Sequence, residues 1–212
     1  MKSPFHLVNE TYEVSRAWIA FDQVVPVHRA SQVKLLPFEA SWIDTLAYLQ
    51  AACAQLGIPR PGRLSEAEGT QIRATLGEPP IASIAIYMIS VSEADGSRER
   101  CVYVGKTNAT THRFRSGHAA FTKLHHPKYD GLLKRLYLGC LAFEDDDHHL
   151  FYTEWTHPPE RRLEVMSVVE ETLILALNPE LNSRNRKSSQ LAGAFPVSVQ
   201  NTVGRLLDGG QF

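Results

Sequence analysis

From Ile81 to Val91 (IASIAIYMISV) nearly every position is apolar or β-branched, the pattern of a strand covered on both faces. A polar stretch from Glu93 to Arg100 follows, with an Asp95-Gly96 turn signal, and Cys101 to Val104 (CVYV) then reads as a second strand. The two predict an antiparallel hairpin. Upstream, Ser41 to Leu56 carries Trp42, Leu46, Leu49, Cys53 and Leu56 at helical spacing. Pro59 and Pro61 break that helix, residues 64–76 read as a second one, and Gly77 with Pro79-Pro80 closes the segment.

Downstream, the pattern predicts helices over residues 111–124 and 129–138, then strands over 140–143 and 150–155 around an acidic loop, 144–148. Pro158-Pro159 suits a helix start and Pro179 forces a stop, which gives a helix over about 160–177. This order predicts an α+β fold with a small mixed or antiparallel sheet flanked by helices. The proline pair at 79–80 divides the chain into a largely helical N-terminal extension (1–80), a domain over 81–183 and a basic tail (184–212). There is no internal repeat.

Composition adds little until it is read locally. The chain has 212 residues, 43% of them hydrophobic, enough for a sizeable core, and a net charge of -1. Between Arg98 and Arg135, however, Arg98, Arg100, Lys106, Arg113, Arg115, Lys123, Lys128, Lys134 and Arg135 face only Glu99 and Asp130. Acids dominate from Glu144 to Glu171, so the neutral total hides a local basic surface. Cys53, Cys101 and Cys140 are scattered and odd in number, against a disulfide framework or a zinc site. The opening MKSPFHLVNE has no apolar signal core, and no stretch approaches the ~20 apolar residues of a membrane span. A cytoplasmic protein with no membrane partner is expected.

The triplets AIY at 85–87 and YVG at 103–105, on successive strands, resemble the paired signature of GIY-YIG nucleases. Lys106 directly follows the second triplet. Arg113 lies seven residues further on, where bacterial excision-repair members carry their arginine. The segment EETLILALNPELN, 170–182, resembles the family's glutamate helix followed by P-x-[LY]-N, and Glu170 and Asn182 stand twelve apart as in those relatives. The resemblance spans residues 81–183, about half the chain, and departs from the pattern at Ala85, which replaces a glycine. It implies a GIY-YIG-type catalytic domain that hydrolyses DNA by one-metal, in-line water attack, with Mg²⁺ or Mn²⁺ as cofactor. The expected site is Tyr87, Tyr103, Lys106, Arg113, His118, Glu170 and Asn182, with Glu170 as metal ligand.

Those residue types suit the chemistry, since phosphodiester hydrolysis needs an activated water, neutralised transition-state charge and an eased leaving group. Leu163, Met166, Leu173, Ile174 and Leu177 share the Glu170 helix face, so its carboxylate must be paired, protonated or coordinating. One carboxylate with several waters is a common way to hold Mg²⁺. A phenol serves as a base only where a cation favours phenolate, a charge Lys106 can supply; which of Tyr87 and Tyr103 activates water stays open. The Arg113 fork can grip a phosphate, while Arg115 points elsewhere if the segment is helical. His118 follows Arg113 by five residues where relatives more often have four. The adjacent pairs His125-His126 and His148-His149 lack partners at zinc-site spacing. The resemblance gives Asn182 an orienting duty, and Arg115, Lys123, Arg184, Arg186 and Lys187 are candidates for holding the nucleic-acid backbone.

A geometric condition follows. A tight Asp95-Gly96 turn would set Tyr87 against Val104 and put Tyr87 and Tyr103 on opposite sheet faces. A shared site demands a longer loop or a bulge. The compact build favours a stand-alone restriction or phage-defence enzyme. The alternatives are a structure-specific repair or junction nuclease, and a weakly catalytic nucleic-acid-binding module. One site per chain cuts both strands either as a homodimer or by successive nicking.

Overall fold

The structure, a computed structural model, describes residues 14–58, 65–80, 82–107, 113–115, 117–144, 150–155, 159–183 and 192–212. The fold is α+β. Strands β1 (Arg16–Pro26), β2 (Ile86–Ser92), β3 (Arg100–Lys106), β4 (Leu133–Glu144), β5 (Leu150–Tyr152) and β6 (Val197–Asn201) form one mixed sheet. Five of them run in the order β3-β2-β4-β1-β6, and β5 pairs with the end of β4 beyond β2. The helices are α1 (Phe38–Leu56), α2 (Glu66–Leu76), α3 (Ala119–Lys123) and α4 (Pro159–Leu177).

Local chemistry accounts for several boundaries. Helix α1 ends at Gly57, whose φ of 68° lets its N–H turn back to the Ala54 and Cys53 carbonyls. Helix α2 opens with a reciprocal cap, the Ser65 hydroxyl accepting from the Glu68 N–H while the Glu68 carboxylate accepts from the Ser65 N–H. Strand β2 is buried at every position because β3 and β4 flank it and both its faces are covered. Ile86 and Met88 join the core on one face, with α4, α1 and the C-terminal residues. Tyr87, Ile89 and Val91 join the core on the other, with α3.

The structure differs from the sequence expectation in four places. Residues 16–26, inside the segment expected to be helical, form β1, which pairs antiparallel with β4 and parallel with β6. Its Ala17, Ile19 and Phe21 alternate into the core. Residues 133–138, expected to end a helix, are the first half of β4. Their Leu, Lys and Arg content suits a helix, but pairing with β1 and β2 on either side outweighs so weak a preference. The helix expected over 111–124 is described only as α3, preceded by Gly117 at φ 88° and by a turn at residues 113–115. Residues 197–201 of the expected tail are strand β6. Strands from all three expected segments therefore share one sheet.

Candidate active site

The two tyrosines share a face because β3 carries an irregularity. Ser90 pairs with Cys101, but Ile89 pairs with Tyr103 and Tyr87 with Gly105, so the register slips by one residue at Val102. The seven residues between β2 and β3 also make a loop wider than a two-residue turn. Both escapes from the tight-turn geometry are present, and the rings stack with centroids 5.9 Å apart.

Gly105 makes room for this arrangement. A Cβ there would lie 2.5 Å from both Cζ and Oη of Tyr87 and 2.8 Å from Cε1 of Tyr103. The glycine of the YVG triplet is thus fixed by contact, because the Tyr87 ring lies directly against the β3 backbone.

Tyr87 is completely buried. Its hydroxyl lies 2.7 Å from His118 Nε2 and 3.4 Å from an Arg113 guanidinium nitrogen. His118 caps α3, its Nδ1 accepting the Ala120 N–H at 3.2 Å. That bond places the proton of the neutral ring on Nε2, so His118 donates to the Tyr87 oxygen. Burial, reinforced by the Arg113 charge, pulls the imidazole pKa down to about 4, which keeps the ring neutral at pH 7. Burial also pushes the Tyr87 phenol well above the usual tyrosine range. Tyr103 and Glu170 add to that shift, while Arg113 opposes it. Phe114 closes the pocket edge-on to Tyr87 at 5.1 Å, and Phe121 packs on His118 at 5.0 Å.

The second half of the site joins β3 to α4. The Lys106 N–H donates to Glu170 Oε1 at 3.1 Å, and its ammonium lies 3.4 Å from Oε2 and 2.6 Å from the Ser167 hydroxyl. Burial raises the Glu170 pKa above the usual carboxylate range, against the lowering pull of Lys106. Met166, Leu173 and Ile174 on its helix face are buried, as the sequence predicts, whereas Leu163 is exposed. Lys106 thus sits on the glutamate; the sequence had cast it as a charge for the phenols.

Asn182 holds strand β3. Its Oδ1 accepts the Val104 N–H at 2.9 Å and its Nδ2 donates to the Val104 carbonyl at 2.8 Å, while the Leu181 N–H reaches the Val102 carbonyl. A side-chain amide here does the work of a neighbouring strand along an otherwise open sheet edge, between Tyr103 and Gly105. Asn182 is a positioning residue by this geometry.

The candidate backbone contacts fare unevenly. Arg115 is exposed beside Arg113, but the two occupy a turn, so the helical argument for separating them does not apply. Lys123 donates to the Leu181 carbonyl at 3.1 Å, and Lys128 pairs with Glu180, which also holds Arg100. Arg184, Arg186 and Lys187, and the pair His148-His149, lie outside the described residues. Sequence reasoning missed Ser167, Phe114 and Phe121. Ser167 stands three residues before Glu170 and four before Glu171, so helical spacing alone does not assign it to either.

Among the described residues no three His, Cys, Asp or Glu side chains converge on one point. A cation here would rest on the Glu170 carboxylate, with waters completing its shell. Glu170, its side chain 19% exposed, has Oε1 engaged by the Lys106 N–H and Oε2 beside the Lys106 ammonium, so Oε2 is the oxygen donor of a kind Mg²⁺ takes. No helix among the described residues is long and apolar enough to cross a membrane. No protein-family model matches this chain, and neither a curated protein nor a solved structure matches it.

Proposed function

We propose that this protein is a metal-dependent endonuclease of the GIY-YIG type that hydrolyses DNA phosphodiester bonds. The observation that carries the reading is convergence. Tyr87, Tyr103, Arg113 and His118 meet on one sheet face, and Glu170, paired with Lys106 at the β3 edge from α4, is near enough for its charge to act on the Tyr87 phenol.

In this reading Arg113 binds the scissile phosphate through its fork, and its departure toward that phosphate uncovers the Tyr87 hydroxyl. The stacked phenols, which burial keeps neutral, then hold and orient the attacking water by hydrogen bonding while its proton passes to a phosphoryl oxygen, and the Nε2–H of His118 fixes the Tyr87 oxygen. Glu170 would hold a divalent cation, whose chemistry when bound is to neutralise charge on the phosphoryl oxygens and the leaving alkoxide. Asn182 and Gly105 keep the two tyrosines in register.

The test is cleavage of duplex DNA in Mg²⁺ or Mn²⁺ by the full chain, with Glu170→Ala and Tyr87→Phe as controls. Each substitution is expected to cost about a hundredfold or more in rate. No cleavage of DNA by the unaltered chain sinks the enzyme reading. The complete burial of Tyr87 and the closed Lys106–Glu170 pair favour one second reading, a nucleic-acid-binding module of the same fold. Binding without cleavage would establish it. Comparing duplex, single-stranded and branched substrates separates a restriction or phage-defence enzyme from a repair or junction nuclease.

A further inference from the structure

Ser167 and Glu170 stand three residues apart on α4 and present their oxygens to the same ammonium. The Ser167 hydroxyl spends its hydrogen on the Leu163 carbonyl at 2.7 Å, which turns its lone pairs toward Lys106. Lys106 Nζ is therefore hydrogen-bonded to Ser167 at 2.6 Å and stands back from Glu170 Oε2 at 3.4 Å. The other carboxylate oxygen, Oε1, is engaged by the Lys106 N–H. Oε2 is thus the oxygen to which a cation can bind, and the ammonium is already beside it.

We propose that Lys106 is the resident counter-ion of Glu170, which a divalent cation displaces from Oε2, and that Ser167 is the positioning residue that keeps the ammonium nearby. The proposal rests on the reading of Glu170 as a metal ligand. A half-buried carboxylate without a partner is costly, so a built-in cation keeps the site folded and charged before metal arrives. The same cation must weaken metal binding, because a lysine charge and a dication within a few ångströms repel each other. Ser167 moderates that conflict by offering the ammonium a second acceptor one helical turn away.

Mn²⁺ titration of the full chain without DNA, followed by the electron paramagnetic resonance signal of free Mn²⁺ at pH 8, tests this directly. Lys106→Met is expected to bind Mn²⁺ about tenfold more tightly than the unaltered chain. Ser167→Ala is expected to bind it about threefold more weakly, because the ammonium then has only Glu170. Glu170→Gln should abolish the site. Unchanged or weaker binding by Lys106→Met, with Glu170 still required, overturns the counter-ion proposal and leaves the nuclease reading standing. Binding that persists in Glu170→Gln overturns the metal-ligand assignment and the proposal with it. Lys106→Gln, checked by thermal melting, replaces Lys106→Met if the latter fails to fold.

Discussion

His118 donates its Nε2–H to the Tyr87 hydroxyl at 2.7 Å while its Nδ1 accepts the Ala120 N–H, so one imidazole links the phenol to the start of α3. The Nδ1 bond exists only in the neutral ring, because the imidazolium donates from both nitrogens. The folded pKa is near 4, against about 6.5 for a free histidine, so between those values the unfolded chain binds the extra proton. Stability from this group is therefore complete above pH 6.5 and is lost as pH falls through 4. Its full size is on the order of 3 kcal/mol. Thermal melts of the unaltered chain and His118→Gln between pH 4 and 8 should converge at the acid end. Parallel curves would refute the assignment.

Gly105→Ala tests the contact between Tyr87 and the β3 backbone. A methyl group 2.5 Å from the phenol ring must displace that ring, and the cost of overpacking of this kind is about 1–3 kcal/mol. A lower melting temperature together with lost cleavage is expected. A substitution that melts normally and cuts normally would show that the ring position is not needed.

Asn182 offers a chemically finer probe. Asn182→Asp keeps an acceptor for the Val104 N–H but loses the donor to the Val104 carbonyl and sets a carboxylate beside that carbonyl. A loss of about 1–3 kcal/mol is expected, with faster hydrogen exchange at the β3 amides. Exchange that accelerates everywhere equally would mean that the amide supports the whole fold and not this edge.

A buried polar knot joins four segments on the sheet's other side. Glu154 accepts from the Ser83 N–H and hydroxyl, both at 2.6 Å, and from the Ser41 hydroxyl at 3.2 Å. Arg162, 1% exposed, donates to the same Ser83 hydroxyl and lies 3.5 Å over the Phe38 ring. The two charges meet only through the Ser83 hydroxyl, so removing either one breaks that link, at a cost of about 1–3 kcal/mol. Glu154→Gln with Arg162→Met should cost clearly less than the sum of the two single changes. Additive losses in urea unfolding would show that the charges are not coupled through Ser83.

The sequence carried the hairpin, the long helix α4 and the residues around Tyr87 because each is written in local pattern or in a motif of fixed spacing. The need for a bulge was also legible, since only a register slip brings Tyr87 and Tyr103 to one face. Strand β4 was not, because Leu133 to Leu138 suits a helix until β1 and β2, from distant parts of the chain, supply its hydrogen bonds. Strand β1 had only the brief alternation of Ala17, Ile19 and Phe21 to announce it. Ser167 escaped because it lies three residues from Glu170 and four from Glu171, and the helical repeat alone does not say which glutamate it serves. The knot around Glu154 depends on Ser41 and Ser83 being brought together from segments far apart in sequence.

Strand β1 has a kinetic consequence. It lies between β4 and β6, so its last partners are residues 197–201, about 180 positions further along the chain. Pairings over such separations close late and slowly, because a long loop must be ordered before any bond repays it. During synthesis the far edge of β1 stays open until residues 197–201 emerge. In that interval it is a surface on which two nascent chains can pair with each other, and the speed of the last closure decides which pairing wins.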